Sequence, residues 1–170
     1  MCKSCRVIPL LEVRVADGDH AVGIWGRTLI QIWRGAATGD ASAEVNRVGR
    51  ELVAVPGFTP NCLFIVERGS PPPGEATRKN FATFSRDIAS RMSIAVVVSE
   101  GGGFRGALVR AVGVALTTLV PHDSNYKFVN DLNAAWRLLG PTLPPGSGGI
   151  DALASATEDL RKKIGTAFKG

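Results

Sequence analysis

The sequence predicts an α/β fold, with a mixed sheet that opens as an antiparallel meander and continues as strands alternating with helices. Three observations predict it. The apolar run Cys62–Val66 leads to a helical segment ending near Met92. The run Ile94–Val98 follows directly and leads through Gly101, Gly102 and Gly103 into a segment rich in apolar residues. Tyr126–Val129 then leads into Leu132, Trp136 and Leu139 at helical spacing.

The opening elements are strands. Leu11, Val13 and Val15 alternate with Glu12 and Arg14, the pattern of a half-buried strand. Asp17-Gly18-Asp19 supplies turn chemistry before a second strand, His20–Trp25. Gly26-Arg27 reads as a short turn into a third, Thr28–Trp33. Asp40 is placed to cap a helix carrying Val45, Val48, Leu52 and Val55, which Pro56-Gly57 ends. Cys62–Val66 is continuously apolar, as a strand covered on both faces should be. Ser70-Pro71-Pro72-Pro73-Gly74 makes a stiff loop into a helix from about Glu75 to Met92, with Phe81, Phe84, Ile88 and Met92 toward the core.

The segment Phe104–Val120 carries two apolar stripes. Phe104, Ala107, Leu108, Ala111, Ala115 and Leu119 form one, and Val109, Val112, Leu116 and Val120 the other. A surface helix needs only one. Two readings stand: a central helix packed between neighbours, or a self-association surface built on Val109, Val112, Gly113 and Leu116. Residues 141–149, rich in proline and glycine, read as a linker. Beyond it, residues 150–170 form an amphipathic helix, with Ile150, Leu153, Leu160, Ile164 and Phe168 on one side. Arg161, Lys162, Lys163 and Lys169 make its other side basic. It is expected to dock on its own domain or on a partner; contact with an anionic membrane is the less favoured reading. The organisation is thus a tail over residues 1–9, an α/β domain over 10–140, the linker, and the helix.

At 170 residues with 45% hydrophobic content, the chain can bury a core without staples. The net charge of +5 comes from arginines dispersed among apolar residues, not the clustered footprint that specific nucleic-acid binding needs. Three cysteines do not make a disulfide framework, and no apolar region follows Lys3 and Arg6 as in a signal peptide. No stretch reaches the roughly 18 apolar residues of a membrane span, so a cytoplasmic protein is expected.

Chemistry is thinly signalled. In parallel α/β sheets ligands gather beyond the carboxyl ends of the strands. The residues expected there are Arg34 and Gly35, Glu67, Arg68 and Ser70, Ser99–Arg105, and Asn130 and Asp131. Gly101, Gly102, Gly103 and Arg105 could offer backbone N–H groups and a cation to an anion, yet they match neither GxGxxG nor a P-loop. His20 and His122 have no triad spacing, and Cys62 reads as a buried core residue. Cys2 and Cys5 form a CxxC with no second pair to complete a zinc site, so no metal or other cofactor is expected. Glu67, Glu75 and Glu100 flank loops, with nothing in the sequence to bring two of them together. Trp25, Trp33 and Trp136 read as core packing.

The order of elements resembles the STAS fold of anti-sigma-factor antagonists. More closely, the run from Leu29 to Leu139 is similar to bacterial STAS/SEC14-like (SpoIIAA-like) proteins. The residues carrying this are Ile32-Trp33-Arg34-Gly35 with Thr38, Glu75-Ala76-Thr77-Arg78, Ser93–Val98 meeting Gly103–Arg110, and Lys127-Phe128-Val129 followed by Ala134–Leu139. The resemblance implies a non-enzymatic module that binds partner proteins. It also implies a phosphorylation switch at a serine or threonine near the start of the helix after a central strand. Ser70 is the nearest candidate, although Glu67-Arg68-Gly69-Ser70 lacks the usual Asp-Ser-Ser-Gly pattern. The SEC14-like side of the resemblance implies the alternative, a carrier of a small apolar ligand or lipid. A third reading is an enzyme that uses Gly101–Arg105 on a phosphorylated substrate.

Overall fold

The computed structural model describes residues 9–101 and 125–165. Their strands are β1 (Leu11–Ala16), β2 (His20–Trp25), β3 (Thr28–Trp33), β4 (Asn61–Val66), β5 (Ala95–Ser99) and β6 (Tyr126–Val129). The helices are α1 (Gly39–Val53), α2 (Glu75–Asp87), α3 (Leu132–Leu139) and α4 (Gly149–Arg161). All six strands join one sheet in chain order, β1-β2-β3-β4-β5-β6. The first two pairings are antiparallel and the remaining three parallel. The α/β class, the opening meander and the parallel continuation therefore stand as the sequence indicates.

Tight turns set the meander. Asp17 Oδ1 accepts from the N–H groups of Asp19 (2.7 Å) and His20 (2.8 Å), closing the β1–β2 turn. Gly26, at φ +56°, takes the left-handed conformation of the β2–β3 turn, where Trp25 pairs with Thr28. The register of β1 shifts between Val13 and Val15.

The interior strands carry apolar side chains on both faces because both are covered. On one face, Val22, Leu29, Cys62, Phe64 and Ala95 meet Val45, Val48 and Leu52 of α1 and Phe84 of α2. On the other, Ile30, Ile32, Leu63, Ile65, Val96 and Val98 meet Ala135 and Leu139 of α3 and Leu153, Ala156 and Leu160 of α4. Trp25 and Trp33 are buried in these two cores, and Trp136 packs beside the second.

Three local expectations change. The α1 cap is Thr38, whose Oγ1 accepts from the Ala41 N–H at 3.2 Å. Asp40 lies in the first helical turn, where its charge complements the helix dipole. Val55 falls past the end of α1 and is 49% exposed. Helix α2 ends at Asp87, with Ile88 as its C-cap donating its N–H to the Phe84 carbonyl, and a 3-10 turn, Ala89–Arg91, follows. Met92 is extended yet buried, since that turn carries it over the same face.

The proline- and glycine-rich stretch is structured at both ends. A 3-10 turn spans Gly140–Thr142, and buried Ser147 donates its hydroxyl to the Pro144 carbonyl at 2.7 Å. Gly146, Gly148 and Gly149 are left-handed and lead into α4. Of the two docking possibilities for this helix, the structure has the intramolecular one: Leu153 and Leu160 are fully buried against the sheet. Gly23 of β2 makes room, since a Cβ there would lie 3.3 Å from Leu160 Cδ1. Among the described residues, no helix is long and apolar enough to cross a membrane.

Candidate functional site

The parallel ladder fixes which side chains meet at its carboxyl edge. The Glu67 N–H donates to the Trp33 carbonyl (2.9 Å) and the Glu100 N–H to the Val66 carbonyl (3.0 Å). Glu67 and Glu100 therefore stand at the ends of neighbouring strands β4 and β5, with Arg34 at the end of β3.

A chain of ion pairs runs across this edge. Arg34 Nε donates to Glu67 Oε2 at 2.8 Å. Arg161 Nε donates to Glu67 Oε1 at 3.0 Å, and Arg161 Nη2 pairs with Glu100 Oε1. Arg161 Nη1 also lies 3.5 Å from Glu158 Oε2. One arginine from the last turn of α4 thus bridges the ends of two strands. Arg161 was expected on the basic outer side of its helix. Instead it lies at the sheet edge, while Lys162 and Lys163 are exposed.

The electrostatics follow from this geometry. Burial alone would raise the Glu67 carboxyl, but the hydrogen bonds and charges of Arg34 and Arg161 prevail and hold it below the usual carboxylate range. Burial opposes the charge on Arg161, and the Glu100 and Glu67 carboxylates overcome it and raise its pKa. The Glu67 hydrogen bond raises Arg34 likewise. Two guanidiniums and two carboxylates thus neutralise one another along Arg34–Glu67–Arg161–Glu100.

The loops around this edge are pinned as well. The Ser70 hydroxyl donates to the Gly35 carbonyl at 2.9 Å, so this proposed phosphorylation site serves as a bond between two loops. Gly35 and Arg34 both donate backbone N–H groups to the Asp19 carbonyl, at 3.1 and 2.8 Å. A Cβ on Gly35 would lie 1.8 Å from Asp19 Oδ1, so glycine allows this close approach. Asp131 at the end of β6 caps α3, accepting from the Ala134 N–H at 2.8 Å. Among the described residues, nothing lies within 4 Å of where a side chain on Gly101 would project.

Of the other reactive residue types, Cys62 lies near the start of β4, away from the edge, whereas His20 stands beside the edge, paired with Trp33 at the end of β3. Cys62 is fully buried, and burial pushes its thiol well above the ordinary value, against a weak 3.5 Å hydrogen bond from Gln31 Nε2. His20 is buried with Nδ1 2.7 Å from Asp17 Oδ2, and its ring stacks on Trp33 at 4.9 Å. Burial works against the Asp17 charge, yet the N–H groups of Asp19 and His20 and the His20 ring hold its pKa below the ordinary value. Among the described residues, no group of three or more His, Cys, Asp or Glu could hold a metal ion.

Gly102, Gly103, Arg105, Val109, Val112, Gly113, Leu116, His122, Cys2 and Cys5 lie outside the described residues. Of the acidic candidates, Glu67 and Glu100 converge through Arg161. Glu75 does not join them: it pairs with Lys79 in the first turns of α2, at 2.9 Å. Sequence reasoning had no means to select Arg161, because its partners lie 94 and 61 residues away. Comparison with protein-family models, with curated proteins and with solved structures found no match.

Proposed function

We propose that this chain is a non-enzymatic, cytoplasmic interaction module of STAS-like type. In this reading it regulates partner proteins by binding them and self-associates through Phe104–Val120. The observation that carries it is the state of Glu67. A general acid or base needs a pKa near the working pH and a lone pair free for substrate. Glu67 is held below the usual carboxylate range, and its two oxygens accept from Arg34 and Arg161. The carboxylate best placed at the ligand-binding edge is therefore engaged in structure. The meander followed by parallel strands agrees with the fold that the resemblance implies, and the doubled apolar stripe in the sequence of Phe104–Val120 supports self-association.

Light scattering on the wild type and on Leu116→Glu tests the self-association. A wild type of at least dimer mass and a monomeric variant are expected. A monomeric wild type overturns it. The experiment requires the full chain, because removing residues 141–170 would strip Leu153, Ala156 and Leu160 from the second core.

A further inference from the structure

The guanidinium between Glu67 and Glu100 is held in the manner of a ligand. Its Nε faces one carboxylate and its Nη2 the other, while its Nη1 lies 3.5 Å from Glu158 Oε2 of its own helix. The flat, forked guanidinium can serve two carboxylates with separate nitrogens, whereas an ammonium offers a single point charge. Glu67 is turned for this task by Arg34, which takes its other oxygen at 2.8 Å. The site lies at the carboxyl ends of adjacent parallel strands, where α/β sheets receive their ligands. Its occupant is built on a helix that follows the proline- and glycine-rich stretch, not on the sheet.

We infer that Glu67 and Glu100 form a guanidinium-recognition site held closed by the chain's own Arg161, and that an arginine-bearing segment of a partner protein enters by displacing it. The inference rests on the reading of this chain as an interaction module and adds the chemistry of its partner. The contact is autoinhibitory in the simple sense that a tethered group competes with an incoming one. Only the Arg161 side chain has to swing, since Leu153, Leu160 and Ile164 keep the backbone of α4 and its end in the core. Water reaches the site, as the Arg161 and Glu100 side chains are 22% and 33% exposed. Exchange replaces one charge-assisted pair with another of the same kind, so the rest of the partner segment supplies the net affinity.

The test is chemical rescue in the full chain. Arg161→Ala removes the occupant, and thermal unfolding is followed with N-ethylguanidinium or ethylammonium at millimolar concentration. N-ethylguanidinium is expected to raise the Tm of Arg161→Ala, with a response at least tenfold weaker in the wild type and none from ethylammonium. The response is expected to disappear in Arg161→Ala/Glu67→Gln and in Arg161→Ala/Glu100→Gln. An equal response to both cations, or one that survives loss of either carboxylate, overturns the inference. If Arg161→Ala does not fold, Arg161→Gln, which keeps a polar side chain without the charge, takes its place with the same expected outcomes. Failed rescue beside intact self-association sinks this site alone. Rescue beside a monomeric wild type sinks the self-association alone.

Discussion

Arg161 Nε lies 3.0 Å from Glu67 Oε1, tying the last turn of α4 to the end of interior strand β4. With the buried face of α4, this contact makes the helix part of the domain. Two sets of residues hold it: apolar side chains against the sheet, and a charged end at the carboxyl edge of the sheet.

The apolar set predicts a large loss from one residue. Leu160 is fully buried and packs over Gly23. Leu160→Ala is expected to destabilise the protein by about 2–5 kcal/mol, the usual range for a buried leucine. Urea unfolding measures it; a loss below about 1 kcal/mol would mean that α4 is loosely held.

Helix α1 passes close to α2 at Gly49, where a Cβ would lie 2.9 Å from Phe84 Cε2 and 3.1 Å from Ile88 Cγ2. Gly49→Ala should therefore cost about 1–3 kcal/mol by overpacking, despite the better helix propensity of alanine. Among the described residues, nothing lies within 4 Å of where a Cβ on Gly18 would sit, and its backbone is not left-handed, so Gly18→Ala should be neutral or mildly stabilising. Thermal unfolding of the two variants side by side checks the contrast.

The cap of α1 separates two neighbouring residues. Thr38→Ala removes the acceptor of the Ala41 N–H and should cost about 1 kcal/mol. Asp40→Ala removes only a first-turn charge and should cost about half of that or less. Equal losses in urea unfolding would count against Thr38 as the cap.

Acid should loosen the carboxyl edge. The folded pKa of Glu67 lies below its unfolded value, about 4.3 for a free glutamate. Its contribution is therefore complete above that value and is lost as pH falls through the folded pKa. The stability difference between wild type and Glu67→Gln should be constant from pH 6 to 7 and shrink below about pH 4.3. A difference that grows on acidification would contradict the direction of the shift.

How far the fold was legible follows from which forces act locally. Thr28–Trp33 could be read from Ile30 and Ile32 on one face, and Cys62–Val66 because a strand covered on both faces reads as a continuous apolar run. Ile150, Leu153, Leu160 and Ile164 marked one side of a helix, but periodicity does not say what that side packs against. Asp40 was favoured as a cap by residue type, whereas the backbone places Thr38 in the extended conformation that capping requires. The candidate site was half legible. Strand ends pointed to Arg34, Glu67 and Glu100, but the residue joining two of them is supplied by a contact spanning 94 positions.

The most direct test of the central claim is a double-mutant cycle of Arg161→Met and Glu67→Gln, measured by urea unfolding of the full chain. A structural pair engaged at the sheet edge predicts a coupling of about 0.5–3 kcal/mol that weakens only modestly with salt. Additivity within about 0.3 kcal/mol would show that Arg161 does not close this edge, and would contradict the account.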